Sequence, residues 1–279
     1  MKKNTISSKF IYLLLLNMII FAIAILTVFI LPKTENHPKA SPSISRKYPK
    51  DSKKGQLESM MEKYPDIGYI LDHFDEYPSE IIDFLLNNPD TLDFALQYLK
   101  QKDKLDDNLS SIDLLSFPKL YQWDPRWGYT NYGDSMMAFT GCGPTVLSMA
   151  AIHLTKDITY TPYYISQFSE QNGFYVPSIG TSWDLFTQGS KALGLNCSPL
   201  SLDEQYINQV LENGGLVICS MRPGDFTNTG HFIIIYGKDK NGYYKLHDPN
   251  SKERSQKTWS YEKLAYQINN LWEITANKN

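Results

Sequence analysis

The sequence predicts an α+β fold, helices first and an antiparallel sheet after them, preceded by a transmembrane helix and a small helical module. Three observations carry this. A charge-free run from Phe10 to Leu31 follows a lysine-bearing N-terminus. Between Leu57 and Gln101, short stretches of mixed apolar and acidic residues each follow a proline. Beyond about Ile112, apolar residues recur first at helical spacing and then in short strand-like runs. That order belongs to an α+β fold rather than to alternating parallel strands and helices.

The N-terminal run is the first element. Lys2, Lys3 and Lys9 precede it, and only Asn17 and Thr27 interrupt its apolar character. Its length is about that needed to cross a bilayer as a helix. A cleaved secretory signal has a shorter apolar core and a small-residue cleavage site, which Ile30-Leu31-Pro32-Lys33 is not. The expectation is an uncleaved signal anchor over residues 1–31, placing the bulk of the chain on the extracytoplasmic face of the cell membrane. Lys33, Lys39 and Arg46 on the far flank make the charge comparison nearly even. The orientation therefore rests on the short basic tail, because long following domains translocate largely regardless of charge. Residues 32–55, rich in Lys, Pro and Ser, cannot pack a core and read as a flexible linker.

Residues 56–105 read as a short-helix module. Tyr64-Pro65-Asp66, Tyr77-Pro78-Ser79 and Asn88-Pro89-Asp90 recur at spacings of about a dozen residues. Proline suits the first turn of a helix, where its missing N–H has no partner to lose. Three short helices are expected, with His73 in a structural role. Spacer, docking piece and inhibitory segment all remain open for the module.

Residues 106–279 read as one domain. Helices are expected over 144–154, 161–171 and 182–193. Ser201-Leu202-Asp203-Glu204 has the pattern of a capping box and opens a helix ending near Gly214-Gly215. Strands are expected over 216–221, 231–236, 243–246 and 270–275. Thirty acidic and 27 basic residues nearly cancel, so neither nucleic acid as a partner nor a solvating acidic tail is indicated. Three cysteines are too few and too scattered for a disulfide framework. Cys219, in the run Leu216-Val217-Ile218-Cys219, reads as a buried small hydrophobe, and Cys197 likewise. The spacing of Cys and His fits no metal, and no glycine-rich phosphate loop or cofactor motif is present.

Cys142 is different. It lies between Gly141 and Gly143, and Pro144 then starts an apolar helix. A sulfur at a helix N-terminus is favoured in its reactive ionised form. The flanking glycines allow a sharp turn and close approach of a substrate, and the Cys142 N–H is a candidate oxyanion donor. A thiolate nucleophile needs a base, and the base needs an orienting partner. His153 lies about three turns down the same helix, too far to serve. His231 begins the run Phe232-Ile233-Ile234-Ile235. The hairpin signal Asp239-Lys240-Asn241-Gly242 folds the chain back so that His231 faces about residues 248–252, which brings Asp248 to the same end. His247 then points to the opposite face of its strand and reads as structural.

The ordered set Gln122-x-Asp124-Pro125-Arg126-Trp127, Gly141-Cys142-Gly143-Pro144-Thr145, Gly180-Thr181-Ser182-Trp183, Gly230-His231-Phe232 and His247-Asp248-Pro249 resembles the peptidase C39-like family of the papain-like cysteine peptidase clan. The resemblance covers about Pro118 to Glu273. It implies a papain-like fold, Cys142 as nucleophile, His231 as base, Asp248 as its orienter and Gln122 as a side-chain donor to the oxyanion hole. It implies a peptide or protein substrate and no cofactor. Trp183 and the 180–182 turn are expected to line the cleft, and Asp124, Arg126 and Trp127 to hold Gln122. A single membrane span without a nucleotide-binding motif departs from the transporter-fused members that cut after a double-glycine leader. Two other readings stand beside the peptidase: a thiol hydrolase or transferase acting on a non-peptide or cell-wall amide, and a non-enzymatic binding module.

Overall fold

The computed structural model describes residues 47–277. The expected anchor over residues 1–31 and most of the linker lie outside the described residues. Among those described, no helix is long and apolar enough to cross a membrane.

A six-stranded antiparallel sheet organises the larger part of the chain. Its strands are β1 (Leu195–Pro199), β2 (Leu216–Met221), β3 (His231–Lys238), β4 (Tyr244–His247), β5 (Thr258–Trp259) and β6 (Ile268–Ala276), in the spatial order β1-β6-β2-β3-β4-β5. Every residue of β2 is buried, because both faces of the sheet are covered. Leu216 and Ile218 of β2 join Ile234, Trp272 and Ile274 under the helices α5 (Cys142–Thr155) and α6 (Pro162–Gln171). On the other face Val217 and Cys219 join Ile233, Ile235 and Leu246, with Ile207 and Val210 of α7 (Glu204–Glu212) and Leu264 of α9 (Tyr261–Ala265). Alternation of period two sends neighbouring residues of one strand into two separate cores.

The strands predicted from their apolar runs form, and β1 and β5 join them. The capping box does not form. Asp203, not Ser201, caps α7, its carboxylate accepting from the N–H groups of Gln205 and Tyr206. In the stretch 182–193 the backbone makes a π-type turn over Leu185–Gly189 and only a short helical turn after it.

The module holds four helices where three were expected: α1 (Lys53–Met60), α2 (Ile67–Asp72), α3 (Ser79–Asn87) and α4 (Leu92–Gln101). α1 begins inside the stretch read as linker, capped by the Ser52 hydroxyl on the Gly55 N–H. Proline sits at the entries as expected: Pro65 just ahead of α2, Pro78 at the cap of α3, and Pro89 opening a 3-10 turn into α4. Leu57, Ile67, Ile70, Ile81, Leu85 and Phe94 converge in one cluster that also takes in Trp123, Tyr129 and Ala138 of the following domain. Phe94 stacks on Tyr129 with ring centroids 4.4 Å apart, and the Tyr129 hydroxyl donates to the Phe94 carbonyl at 2.6 Å. The module is thus docked on the domain through a shared core rather than held away from it as a spacer.

Phe94 has no exposed surface. Its replacement by Ala should cost about 3–5 kcal/mol of stability, as for large-to-small changes in other cores. Tyr129→Phe removes one buried hydrogen bond to a carbonyl that the helix also uses, a loss of about 1 kcal/mol. Urea unfolding of the two variants should rank them in that order; equal, negligible losses would mean that the two parts do not share a core.

Candidate active site

Cys142 is the first residue of α5, and Gly141 is its cap. The helix begins two residues before Pro144, so the proline falls within the first turn, where no hydrogen-bond donor is required. Cys142 is partly exposed, whereas Cys197 and Cys219 are buried. Burial pushes the Cys197 thiol up to about 12, with the charge of Glu273 adding to it. Burial alone raises that of Cys219 still further.

Packing excludes a side chain at either glycine. A Cβ on Gly141 would lie 2.5 Å from the Met137 carbonyl, and one on Gly143 would lie 2.7 Å from the Thr181 side chain. Gly141 has φ −85° and ψ 14°, open to any residue, so the turn there does not draw on glycine's conformational freedom. The space left by the missing side chains is filled by the protein itself. In particular, the small ribbon pairing Tyr175–Val176 with Gly180–Thr181 lies against Gly143.

His231 and Asp248 meet through the β3–β4 hairpin. Asp239 accepts in its turn from the N–H groups of Asn241 and Tyr243, and Gly242 takes φ +87°. The register pairs Ile234 with His247, with one irregularity between Ile235 and Gly237. His231 and Asp248 therefore share a face at the open end of the hairpin, and His231 Nε2 lies 2.7 Å from Asp248 Oδ1. His231 is 8% exposed and Asp248 not at all. Burial by itself opposes a charge on the His231 ring. It is outweighed by the attraction and hydrogen bond of Asp248, helped by the Cys142 thiol beside the ring, and the pKa is raised well above the ordinary value. Burial likewise opposes ionisation of Asp248, but His231 and then Arg254 hold its carboxyl below the usual range.

His247 lies on the opposite face, as the alternation predicts. Its Nε2 donates to the Leu120 carbonyl at 2.8 Å, and burial lowers its pKa to about 4, so it is neutral and structural. His153 packs on Phe117, its ring disfavoured as a cation by burial and by Lys156. His73 is bound to the Tyr69 carbonyl.

Gln122 is buried beside the pair. Its backbone N–H donates to the Pro249 carbonyl at 2.9 Å and its Nε2 to the Ala138 carbonyl at 2.7 Å, while Oε1 has no partner. Next to it, Arg126 grips both carboxylate oxygens of Asp124, at 3.0 and 2.8 Å, and Trp127 Nε1 donates to the Tyr121 carbonyl at 2.9 Å. Asp124 and Arg126 thus bind each other, and Trp127 binds the residue next to Gln122.

Gln122, Cys142 and His231 line one cleft of about 880 Å³, together with the 224–230 loop and, from the module, Lys63, Tyr64, Phe84 and residues 87–90. Trp183 does not line it. Its ring packs edge-on against Trp272, with centroids 5.3 Å apart. Among the described residues no group of three His, Cys, Asp or Glu side chains is placed to hold a metal ion.

Three residues that the sequence reading missed hold Asp248. Arg254 Nε donates to Oδ2 at 2.5 Å, the Asn250 N–H to Oδ1 at 2.7 Å, and the Asp248 N–H itself donates to the Ser255 hydroxyl at 2.9 Å. Arg254 and Ser255 belong to the short helix α8 (Lys252–Gln256). The only local signal was Ser251, a good cap residue, whose hydroxyl accepts from the Arg254 N–H.

The signs of the two shifts define a pH window. The raised His231 contributes stability that is complete below the ordinary histidine value of about 6.5 and is lost as pH rises through the folded value. The lowered Asp248 contributes stability that is complete above about 3.9 and is lost as pH falls through the folded value. The stability advantage of the wild-type protein over Asp248→Asn should therefore be flat and largest between about pH 4 and 6.5, shrinking on both sides. Thermal unfolding of the two proteins across pH 3 to 10 checks this. A difference independent of pH would mean that the pair is not charged in the fold.

The sequence profile of the Peptidase_C39 like family matches residues 114–279, more than half of the chain. Among solved structures, the chain is similar to the peptidase domain of Streptococcus ComA, a bi-functional ABC transporter involved in a quorum sensing pathway. The two are 18% identical with a TM-score of 0.40, over 58% of this chain and 100% of that one. It is also similar to a putative C39-like peptidase from Bacillus anthracis, 14% identical with a TM-score of 0.36, over 59% of this chain and 96% of that one. No curated protein matches the sequence. With the match spanning Cys142, His231 and Asp248, the chain belongs to the Peptidase_C39 like family, of the cysteine peptidase kind.

Proposed function

We propose that this protein hydrolyses peptide bonds, with Cys142 as nucleophile, His231 as general base and acid, Asp248 as the orienter of His231, and Gln122 with the Cys142 N–H as the oxyanion hole. One observation carries the reading. Asp248 occupies Nε2 of His231, which leaves Nδ1 for the Cys142 sulfur at the wall of the shared cleft.

The chemistry follows from that arrangement. A cationic ring beside the sulfur is the partner an ionised thiol needs. The sulfur adds to the scissile carbonyl and the carbonyl oxygen takes the negative charge. That oxygen is met by the Cys142 N–H, in the unpaired first turn of α5, and by the second Nε2 hydrogen of Gln122, the first being committed to Ala138. His231 gives its proton to the nitrogen as the carbon–nitrogen bond breaks, and an amine leaves. Water then attacks the thioester while His231 takes its proton, and the acid departs with the sulfur restored. Family membership favours a peptide over another amide as the substrate. The charge-free run at 10–31 supports attachment to a membrane, with the catalytic domain on its extracytoplasmic side.

Cys142→Ala should abolish cleavage of a peptide library, and retained cleavage would sink the reading. Gln122→Ala should lower turnover by about 10²–10³-fold, the usual cost of losing one oxyanion donor. Because alkylation forms no oxyanion, the same variant should still react with iodoacetamide at Cys142 at the wild-type rate. Turnover and alkylation falling together would assign Gln122 to packing instead. For the anchor, the full chain should stay in the membrane pellet after alkaline carbonate extraction; release into the supernatant would contradict it.

A further inference from the structure

We infer that Asp90, in the helical module and outside the matched family region, is a positioning residue of the catalytic site, acting through α8 and Arg254 on Asp248. The inference rests on the reading of Asp248 as the orienter of His231.

The contacts run from one part of the molecule to the other. Asp90 Oδ2 accepts from the Lys252 N–H at 2.7 Å, the Glu253 N–H at 3.2 Å and the Ser251 hydroxyl at 3.3 Å. Two residues away, Asn88 Nδ2 donates to the Asn250 carbonyl at 2.6 Å, and Asn88 Oδ1 accepts from the Asp90 N–H at 3.2 Å. Trp123 Nε1 donates to that same Asn250 carbonyl at 3.2 Å. The segment so held, 250–253, lies between Asp248 and Arg254.

The physical need for a clamp is plain. α8 has five residues, too few to be stable by its own hydrogen bonds. Its first N–H groups have no partner within the helix. Ser251 caps the Arg254 N–H, and Asp90 takes those of Lys252 and Glu253. Arg254 is the third residue of this helix and holds Oδ2 of a carboxylate with no exposed surface. If the first turn frays, the guanidinium loses its fixed place. Asp248 then loses one of its two charged partners and the rigid frame that aims it at His231. The chain of dependence is Asp90, the first turn of α8, Arg254, Asp248, His231.

A purely anchoring role for Asp90 predicts something different. Losing it would then loosen the module and lower stability, yet leave the reactivity of Cys142 and its pH profile unchanged. The hydrogen-bond pattern supplies a conservative control. All three bonds end on one oxygen, so Asp90→Asn keeps the acceptor and Asp90→Ala removes it. Lys252→Pro gives a second route that leaves the module untouched. Lys252 is the first helical residue and follows an extended Ser251 (φ −145°, ψ 122°), where proline fits; the N–H is lost, together with the ammonium that lies over the Trp123 and Tyr121 rings.

The test is the rate of iodoacetamide alkylation of Cys142 against pH, read by mass spectrometry on the full chain in detergent. Asp90→Ala should slow alkylation at pH 7 about tenfold, the order expected for losing hydrogen bonds to a charged group, and shift the pH profile towards that of Arg254→Ala. Asp90→Asn should stay within about twofold of wild type, and Lys252→Pro should fall about threefold in the same direction. Added to Arg254→Ala, the Asp90→Ala change should cost less than a further twofold, because both act along one path. A wild-type profile in both Asp90→Ala and Lys252→Pro overturns the inference, as does full multiplication of the Asp90 and Arg254 effects. His231→Ala is the separate control. If it alkylates as fast as wild type, the catalytic reading itself fails; if it is slow while Asp90→Ala is not, only the positioning role fails.

Discussion

A carboxylate with no access to water governs the architecture around it. Asp248 is fully buried yet ionised, and burial of a charge is costly unless it is both paired and hydrogen-bonded. The structure meets that demand with a cationic ring on one oxygen, a guanidinium on the other, and a backbone N–H beside the ring. Each partner brings an element with it. The ring requires the β3–β4 hairpin, the guanidinium requires α8, and the N–H requires the tight chain reversal after Pro249. Gln122 joins the same assembly through the Pro249 carbonyl, so the candidate base and the candidate oxyanion donor are fixed to one loop.

This arrangement divides labour between the two faces of the sheet. The face under α5 is apolar and carries the helix whose first residue is Cys142. The other face carries His231 and Asp248 at the end of strands that are otherwise filled by Ile233, Ile235 and Leu246. Rigid strands thus end in polar groups at the rim. His247, adjacent to Asp248 in sequence, is sent into the opposite face by the strand period and becomes a neutral packing residue.

Much of this was legible in the sequence because the signals are local. Runs such as Leu216–Met221 and Phe232–Ile235 announce strands, and Asp239-Lys240-Asn241-Gly242 fixes a turn from which the position of Asp248 opposite His231 can be counted. What was not legible depends on distant partners. Gly143 makes room for Thr181, far along the chain, a packing demand that no local pattern announces. Trp183 packs edge-on against Trp272 and is not part of the cleft lining. Ser201 looked like the cap of α7, but Asp203, two residues later, is the better acceptor for the first turn. α1 escaped notice because its lysines, glycine and glutamine carry no apolar period, and it takes its place through Leu57 and Met60 in a core completed from elsewhere. Arg254 sits in a stretch of charged residues that reads as solvated surface until Asp248 is placed beneath it.

The clamp between Asn88 and Asn250 joins residues 162 positions apart. Synthesis from the N-terminus therefore makes the module long before the strands that it must hold. Its apolar cluster stays unfinished until Trp123, Tyr129 and Ala138 emerge, and the loop around Asp248 closes only when the chain has passed α8. A nascent chain carries Cys142 well before His231, Asp248 and Arg254. A product of translation that stops short of Arg254 therefore lacks part of the set of groups that surrounds His231 and Cys142.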